Sequence, residues 1–426
     1  MSGIVQNNIL RTSGSIAVAA AGLNWSSTII TGSTVTVEAG NGYWINTTNN
    51  TCTITLPSAA EKGDQIVLID YARTWGTNSI FIDSNGLNYQ GNDDTYTVEY
   101  TTSGQSINIV YSDATKGWIP LEDDVTALEP VAPRTQRAIF AFGNINSSVV
   151  GMSNLVNSSG VVGNDVTAVG TARKQICAAT YGGDKAFFTY GRLHNEDMQS
   201  TTNLVSNSGV VASNSSAAGT ARWGAMAAAF GSSGQAVIGY GDSGNGNFSN
   251  LSNIVSNSGV ISSDVTGVGT ARSAGVGVGY GVGLALFAFG YRGSGTYENV
   301  KNLVNSSGVV SADVTGVGTA GAGLAASTYG SSGQAVIAFG YRGSQTNTRN
   351  LVNSSGVIAS DVSGAGTARQ EMSAANYGGD KGIFAYGGGV TNVSNLVNTS
   401  GVISSDVTGV GTARRQLAAA GYSYSA

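Results

Sequence analysis

The chain has 426 residues, of which 11% are charged, and a formal net charge of −5. Ordinary globular chains carry about 25% charged residues. No Lys/Arg block occurs in the sequence, so the electrostatic footprint of a nucleic-acid binder is absent. The 62 glycines and 4 prolines point to an all-β chain with many tight turns. Glycine and asparagine supply the positive φ that turns require. Strong helix formers other than alanine are scarce.

The start, MSGIVQNNILRTSG, lacks a basic stretch leading into an apolar one, so no signal peptide is expected. The apolar run from Ile16 to Leu23 is too short to cross a bilayer, and no membrane insertion is expected. Residues 1–30 are small and polar and read as an extended arm that orders on docking. Residues 31–121 read as a β-rich module, with candidate strands in TVTVEAG, YWINTT, CTITLP, QIVLID and SINIVYS. Asn85-Gly86 is a hairpin signal within it. Residues 122–133, charged and bearing prolines, read as a linker. Cys52 and Cys177 lie far apart without metal-ligand neighbours, and are expected as buried free thiols of a protein made in a reducing cytosol.

Residues 134–426 repeat. Asn-Leu/Ile-Val begins at Asn154, Asn203, Asn253, Asn302, Asn350 and Asn395, at steps of 45 to 50 residues. Gly-Thr-Ala-Arg begins at Gly170, Gly219, Gly269, Gly366 and Gly411, and its counterpart at Gly318 ends in Gly321. An apolar run ending in aromatic-Gly recurs at Phe142, Tyr190, Tyr240, Phe289, Phe339 and Tyr386. Each period holds four candidate strands, which predicts a six-bladed β-propeller. The first copy starts at its second strand, and an extra first strand, Arg414 to Tyr422, follows the last copy. The C-terminal strand is therefore expected to close the ring and remove its open edges.

The arginine before the first strand, the apolar second strand ending in glycine and the third strand with a valine resemble the kelch repeat. The chain departs from kelch in two respects. The double glycine is clear only at Gly387-Gly388, and no tryptophan marks the fourth strand. In the front third, WSSTIITGSTVTVEAGNGYWINTT, CTITLPSAAEKGDQIVLIDYARTWG and GQSINIVYSDATKGW resemble a β-module of tailed-bacteriophage virion proteins, including tail-fibre and head-fibre proteins. The resemblance spans Trp25 to Trp118 and implies a β-sandwich or jelly-roll-like module. It also implies a virion location, attachment to other virion proteins through residues 1–121, and a homotrimer. The propeller would then meet a host-surface glycan or protein, as in a tail fibre or receptor-binding protein. A capsid-decoration or head-fibre protein is the alternative, and a cellular kelch-like adaptor a second one.

Catalytic chemistry finds little support. His194, the only histidine, lies in RLHNEDM without a second histidine or a cysteine pair for a transition metal, and without a nucleophile elbow. Glu196 and Asp197 are adjacent, with nothing to mark them as a glycosidase pair. Ser112–Trp118 resembles the Asp-box of sialidase propellers but occurs once, outside the repeats. Asp242–Asn247 lacks the spacing of a calcium loop. No enzyme activity, cofactor or metal is expected. Binding is expected on the loops between second and third strands, which differ in every copy, while the next turns (NSSG, SNSG, NTSG) are nearly constant. These loops offer His194, Asn245, Tyr291, Arg292, Tyr341 and Arg342 as ligand contacts. Arg173, Arg222, Arg272, Arg369 and Arg414 could form an anion-binding ring. Alternatively they could pair structurally with Asp165, Asp264, Asp313, Asp361 and Asp406, or with carbonyls of a neighbouring blade.

Overall fold

The alternating Val/Ile-rich segments and their Gly/Asn turns form strands throughout the computed structural model. It describes residues 11–12, 15–16, 23–121 and 135–425. No helix occurs among the described residues, so none is long and apolar enough to cross a membrane. Most of the expected arm and the linker at 122–133 lie outside the described residues. The chain divides into two units, Met1–Pro130 and Val131–Ala426.

In the first unit, successive strands from Asn24 to Asp83 alternate between two sheets. Asn24–Ile30, Asn41–Ile45 and Gln65–Asp70 pair in parallel, and Ser106–Tyr111 and Trp118–Pro120 extend that sheet antiparallel. Thr34–Thr36, Cys52–Thr55 and Ile80–Asp83 pair in parallel in the other sheet, closed by antiparallel Val98–Tyr100. The chain thus winds as a coil, placing one strand in each sheet per turn. A period-2 pattern buries one face: Ile66 and Leu68 meet Ile54, Ile80 and Ile109 in a core with Trp75 and Trp118. Jelly rolls are built from antiparallel Greek keys. Parallel pairing in both sheets therefore overturns the jelly-roll-like expectation. The strand signals gave no pairing direction, because alternation is the same in both. The arm was expected to reach residue 30, but Asn24–Ile30 is an edge strand of the larger sheet. Asn85 (φ 55°) and Gly86 (φ 84°) do form a tight turn. The strands around it, Ile80–Asp83 and Val98–Tyr100, pair only across a longer loop.

The second unit holds six small sheets. Within each, a short alanine- or glycine-rich first strand pairs antiparallel with an apolar second strand, which pairs with the Asn-Leu/Ile-Val third strand. Met226–Phe230, Gln235–Asp242 and Phe248–Val255 are one such set. The first sheet is assembled from both ends of the unit: Arg137–Ile145 pairs with Ser148–Val156 on one side and Ala418–Tyr422 on the other. The expected fourth strand is a regular strand only at Ser215–Ser216. Elsewhere it is reduced to bridges such as Val156–Val162 and Ser153–Val166. Asn154 Nδ2 donates to the Gly163 carbonyl at 3.0 Å between these two bridges, and Asn203 makes the same bond to Ala212 beside the one regular fourth strand.

Hydrogen bonds link each sheet to the next. At one end of the first strands, Gly182 donates to Gly234, Gly231 to Gly283, Gly281 to Gly333, Gly330 to Asp380, Gly378 to Gln136, and Ser423 to Asp184. At the other end, Gly224 donates to Gln175, Ala274 to Gly224, Gly323 to Ala274, Glu371 to Gly323, Gln416 to Glu371, and Gln175 to Gln416. This second series returns to its starting residue. Small residues in the first strands permit the close approach. A Cβ on Gly277 would lie 2.5 Å from the Ala227 carbonyl oxygen of the preceding sheet. Apolar side chains of neighbouring sheets fill the space between them, as Phe287 does beside Ile254 and Tyr240. Cys52 and Cys177 are free and buried, and burial pushes their thiols up to about 11 and about 12.

Candidate functional site

The three repeated motifs converge on one construction between sheets. In the third sheet, Arg222 is fully buried. Its Nε donates to the Tyr240 carbonyl at 2.7 Å, Nη1 to the Thr220 carbonyl at 3.0 Å, and Nη2 to Asn253 Oδ1 at 2.5 Å. Asn253 Nδ2 donates to Asp264 Oδ1 at 3.0 Å, and Asp264 Oδ2 accepts from the Thr220 amide and hydroxyl. The guanidinium also lies over the Tyr190 ring of the preceding sheet, 4.5 Å from its centroid. Arg272, Arg369 and Arg414 repeat the arrangement with Asn302, Asn395 and Asn154. They stack on Tyr240, Phe339 and Tyr386. Arg173 stacks on Phe142 but reaches the Phe188 and Thr201 carbonyls, leaving Asn203 Oδ1 without a hydrogen bond.

These arginines are 0–1% exposed and spend their donors on the protein itself, so the geometry supports a structural latch between neighbouring sheets and not the anion ring. Burial pulls Arg173 and Arg369 down to about 10, which leaves them charged at neutral pH. The gap at Gly321 is filled from elsewhere. Arg342, expected as a ligand contact, turns inward with its side chain 4% exposed. Its Nη1 donates to the Thr319 carbonyl and Asp361, its Nη2 to Asn350 Oδ1 at 2.7 Å, and it lies over Phe289. A Cβ on Gly321 would stand 2.7 Å from Arg342 Cγ, so the two positions share one space.

The aromatic-Gly motif belongs to the same device. Phe142, Tyr190, Tyr240, Phe289, Phe339 and Tyr386 all have φ between 59° and 65°. A left-handed backbone costs a non-glycine residue about 1–2 kcal/mol. The kink offsets this cost, because in every copy but that of Phe339 it aims the carbonyl at its own sheet's arginine, and in all six it places the ring under the next one's. The first glycine of Gly-Thr-Ala-Arg is required for closeness: a Cβ on Gly269 would lie 2.3 Å from Asp313 Oδ1.

Burial alone would raise the latch carboxylates, but hydrogen bonds from threonine and asparagine outweigh it. Asp165, Asp264, Asp313, Asp361 and Asp406 are therefore held below the usual 3.8. A depressed folded pKa stabilises fully above the unfolded value, and that contribution is lost as pH falls through the folded one. Thermal melting of the second unit should therefore be steady from pH 7 to about pH 5 and drop below about pH 4. Asp264→Asn should soften that acid step. The second sheet already carries Asn214 here, which accepts from the Thr171 amide and donates to its hydroxyl. Unchanged melting at pH 3 would exclude this role for the carboxylates.

The remaining expected contacts separate. His194 is exposed in its loop, and Asn245 (φ 56°) is exposed at the tip of the Asp242–Asn247 turn. Arg292 pairs with Glu298 at 2.6 Å. Tyr291 and Tyr341 are brought together by Tyr297, whose ring lies 5.3 Å from one and 5.4 Å from the other. The three tyrosines and Trp223 line one side of a cavity of about 380 Å³, and Glu371 and Gln416 lie on another. Sequence reasoning missed Tyr297, Trp223, Glu371 and Gln416. A usable signal existed, because Glu371 and Gln416 stand two residues beyond the latch arginine. Among the described residues, no group of three or more His, Cys, Asp or Glu could hold a metal ion. No protein-family model matches the chain, and no curated protein is similar enough to stand as a relative.

Proposed function

We propose that this chain is a non-enzymatic structural protein of a bacteriophage virion, of the tail-fibre or receptor-binding kind. In this reading the six sheets are the blades of a propeller closed by the C-terminal strand. The first unit is a two-sheet sandwich that attaches to other virion proteins, and the assembly is a trimer. The propeller presents one face to a host-surface glycan or protein.

The observation that carries the reading is the inequality of the two faces. The constant turns between third and fourth strands are packing elements. Gly259 and Gly356 lie against Tyr181 and Tyr280 of the preceding sheets, so close that a Cβ would clash. The loops after the second strands differ in every copy, and two of them bring tyrosines to the cavity. Freedom to vary on a constrained scaffold is what a recognition face requires.

A capsid-decoration role is the second reading. It is favoured by exposed valines that recur on the outer edges, among them Val161, Val210, Val260 and Val309, each about 60% exposed. Exposed apolar surface of this kind suits contact with other subunits. Antibodies against the full chain, applied to purified particles in the electron microscope, test both. Label at the tail supports the appendage, label spread over the head supports decoration, and particles without label exclude both and favour a cellular adaptor.

A further inference from the structure

The cavity mouth is where the sixfold pattern of the second unit breaks. The residues two positions beyond each latch arginine (or Gly321) are Gln175, Gly224, Ala274, Gly323, Glu371 and Gln416. All have a left-handed backbone, with φ between 53° and 62°. Their amides and carbonyls form the closed series described above. The backbone is thus nearly equivalent around the mouth while the side chains are not. Three consecutive positions carry only glycine or alanine, and the other three carry amides and a carboxylate.

The aromatic groups stand beside the small residues. Trp223 precedes Gly224, Tyr291 bridges to Ser273 next to Ala274, and Tyr341 bridges to Ala322 next to Gly323. Phe248 and Tyr297 extend this arc, with Phe248 5.9 Å from Tyr291. The result is a half-ring of partly exposed rings facing a polar half-ring. Burial, and then the Tyr341 and Tyr291 hydroxyls, raise the Tyr297 phenol, so it stays neutral.

The polar half has unused capacity. Gln416 Nε2 donates to Glu371 Oε1 at 2.8 Å. Gln416 Oε1 is buried and has no hydrogen-bond donor, while Glu371 Oε2 lies 3.2 Å from Arg415 Nη1. A buried acceptor without a donor is costly unless a partner arrives. The cations nearby are already paired: Arg415 with Glu371 at 3.2 Å, Lys174 and Arg192 with Glu196, and Arg292 with Glu298. A ligand that donates hydroxyls, carries no charge and offers an apolar ring face matches every feature. An anionic sugar or phosphate would meet a carboxylate and no unpaired cation.

We infer that this mouth is a binding site for a neutral saccharide, stacked on the arc around Tyr297 and hydrogen-bonded through its hydroxyls to Glu371 and Gln416. The cavity of about 380 Å³ lies at the lower end of the ~300–1,000 Å³ of small-ligand sites, room for a mono- or disaccharide unit. The inference deepens the surface-recognition reading and rests on it for its biological setting.

The test uses the full chain against immobilised neutral hexose and N-acetylhexosamine oligosaccharides, with sialylated and phosphorylated glycans alongside. Saturable binding to a neutral subset is expected, weakened about tenfold or more by Tyr297→Ala and by Glu371→Gln. Tyr71→Ala, an exposed tyrosine of the first unit, should bind as the parent does. Thermal melts of each variant separate loss of the site from loss of the fold. Binding of no neutral glycan, preference for anionic ones, or full binding by both folded variants would overturn the inference. Glycan binding by a chain that labels no particle would uphold the site and sink the virion reading instead.

Discussion

Arg222→Met should lower the unfolding free energy of the second unit by about 3–5 kcal/mol, among the largest effects of any single substitution in this chain. Methionine fills a similar volume but donates nothing. The Tyr240 and Thr220 carbonyls and Asn253 Oδ1 would lose their buried donor together. Tyr190 would lose the cation over its ring, and Asp264, 3.5 Å from the guanidinium, would lose its counter-charge. Arg222→Lys should recover little, because a single ammonium cannot reproduce three donors fanned in one plane. Denaturant midpoints read by fluorescence measure the change. A loss under about 1 kcal/mol for Arg222→Met would show that the latch is not what holds the sheets together.

Arg342 sharpens the same prediction. It comes from a variable loop, where substitution is usually tolerated, yet Arg342→Ala should destabilise nearly as much as Arg222→Met. Gly321→Arg in that background should restore part of the loss, because the new side chain starts from the place its five counterparts occupy. Gly321→Arg alone should destabilise, since both side chains would compete for one space.

This pair of residues also shows how far the sequence could be read. The period, the borrowed C-terminal strand and the positions of the three motifs were legible because each copy repeats them in the same order. The reason for the motifs was not. Gly-Thr-Ala-Arg, aromatic-Gly and Asn-Leu/Ile-Val lie up to about 30 residues apart in each copy and meet only in space, as Arg222 meets Tyr240 and Asn253. Arg342 next to Tyr341 looked like a ligand contact because a loop position carries no mark of which way the side chain turns. Tyr291 and Tyr341 were found as aromatic loop residues. Tyr297, which joins them, stands in the same varied stretch of sequence, and nothing there showed that it begins the third strand between them. In the first unit, alternation marked QIVLID as a strand, of which Ile66 and Leu68 prove to be the buried face. It held no information on whether neighbouring strands run parallel, and there the topology was misjudged.

Ending the chain after Arg414 should abolish cooperative unfolding of the second unit. The lost segment supplies the first strand of the first sheet, where Ala418–Tyr422 pairs with Arg137–Ala141. Leu417, Ala418, Ala419, Ala420 and Tyr422 are all at most 8% exposed, so their removal forfeits roughly 5 kcal/mol or more of apolar burial. That is comparable with the ~5–15 kcal/mol that holds a typical domain together. Removal also breaks the backbone series at Gln416 and leaves Arg137–Ile145 as an open edge of the first sheet. Calorimetry of the truncated full-length chain should show no transition for this unit, and a normal transition would mean that closure contributes little. The complementary variant moves residues 411–425 in front of Thr135, so that Tyr422 and Arg137 become the two sides of a local hairpin. Every native contact is kept, and the closure changes from a link of more than 270 residues, as between Arg414 and Phe142, to one of a few. Loop-closure entropy depends only weakly on length, so equilibrium stability should be close to that of the parent. Folding should be faster, because the pairing that completes the first sheet has become local. If the rearranged chain folds no faster, pairing of the two ends of the unit is not part of the rate-limiting step, whatever it contributes to stability once formed.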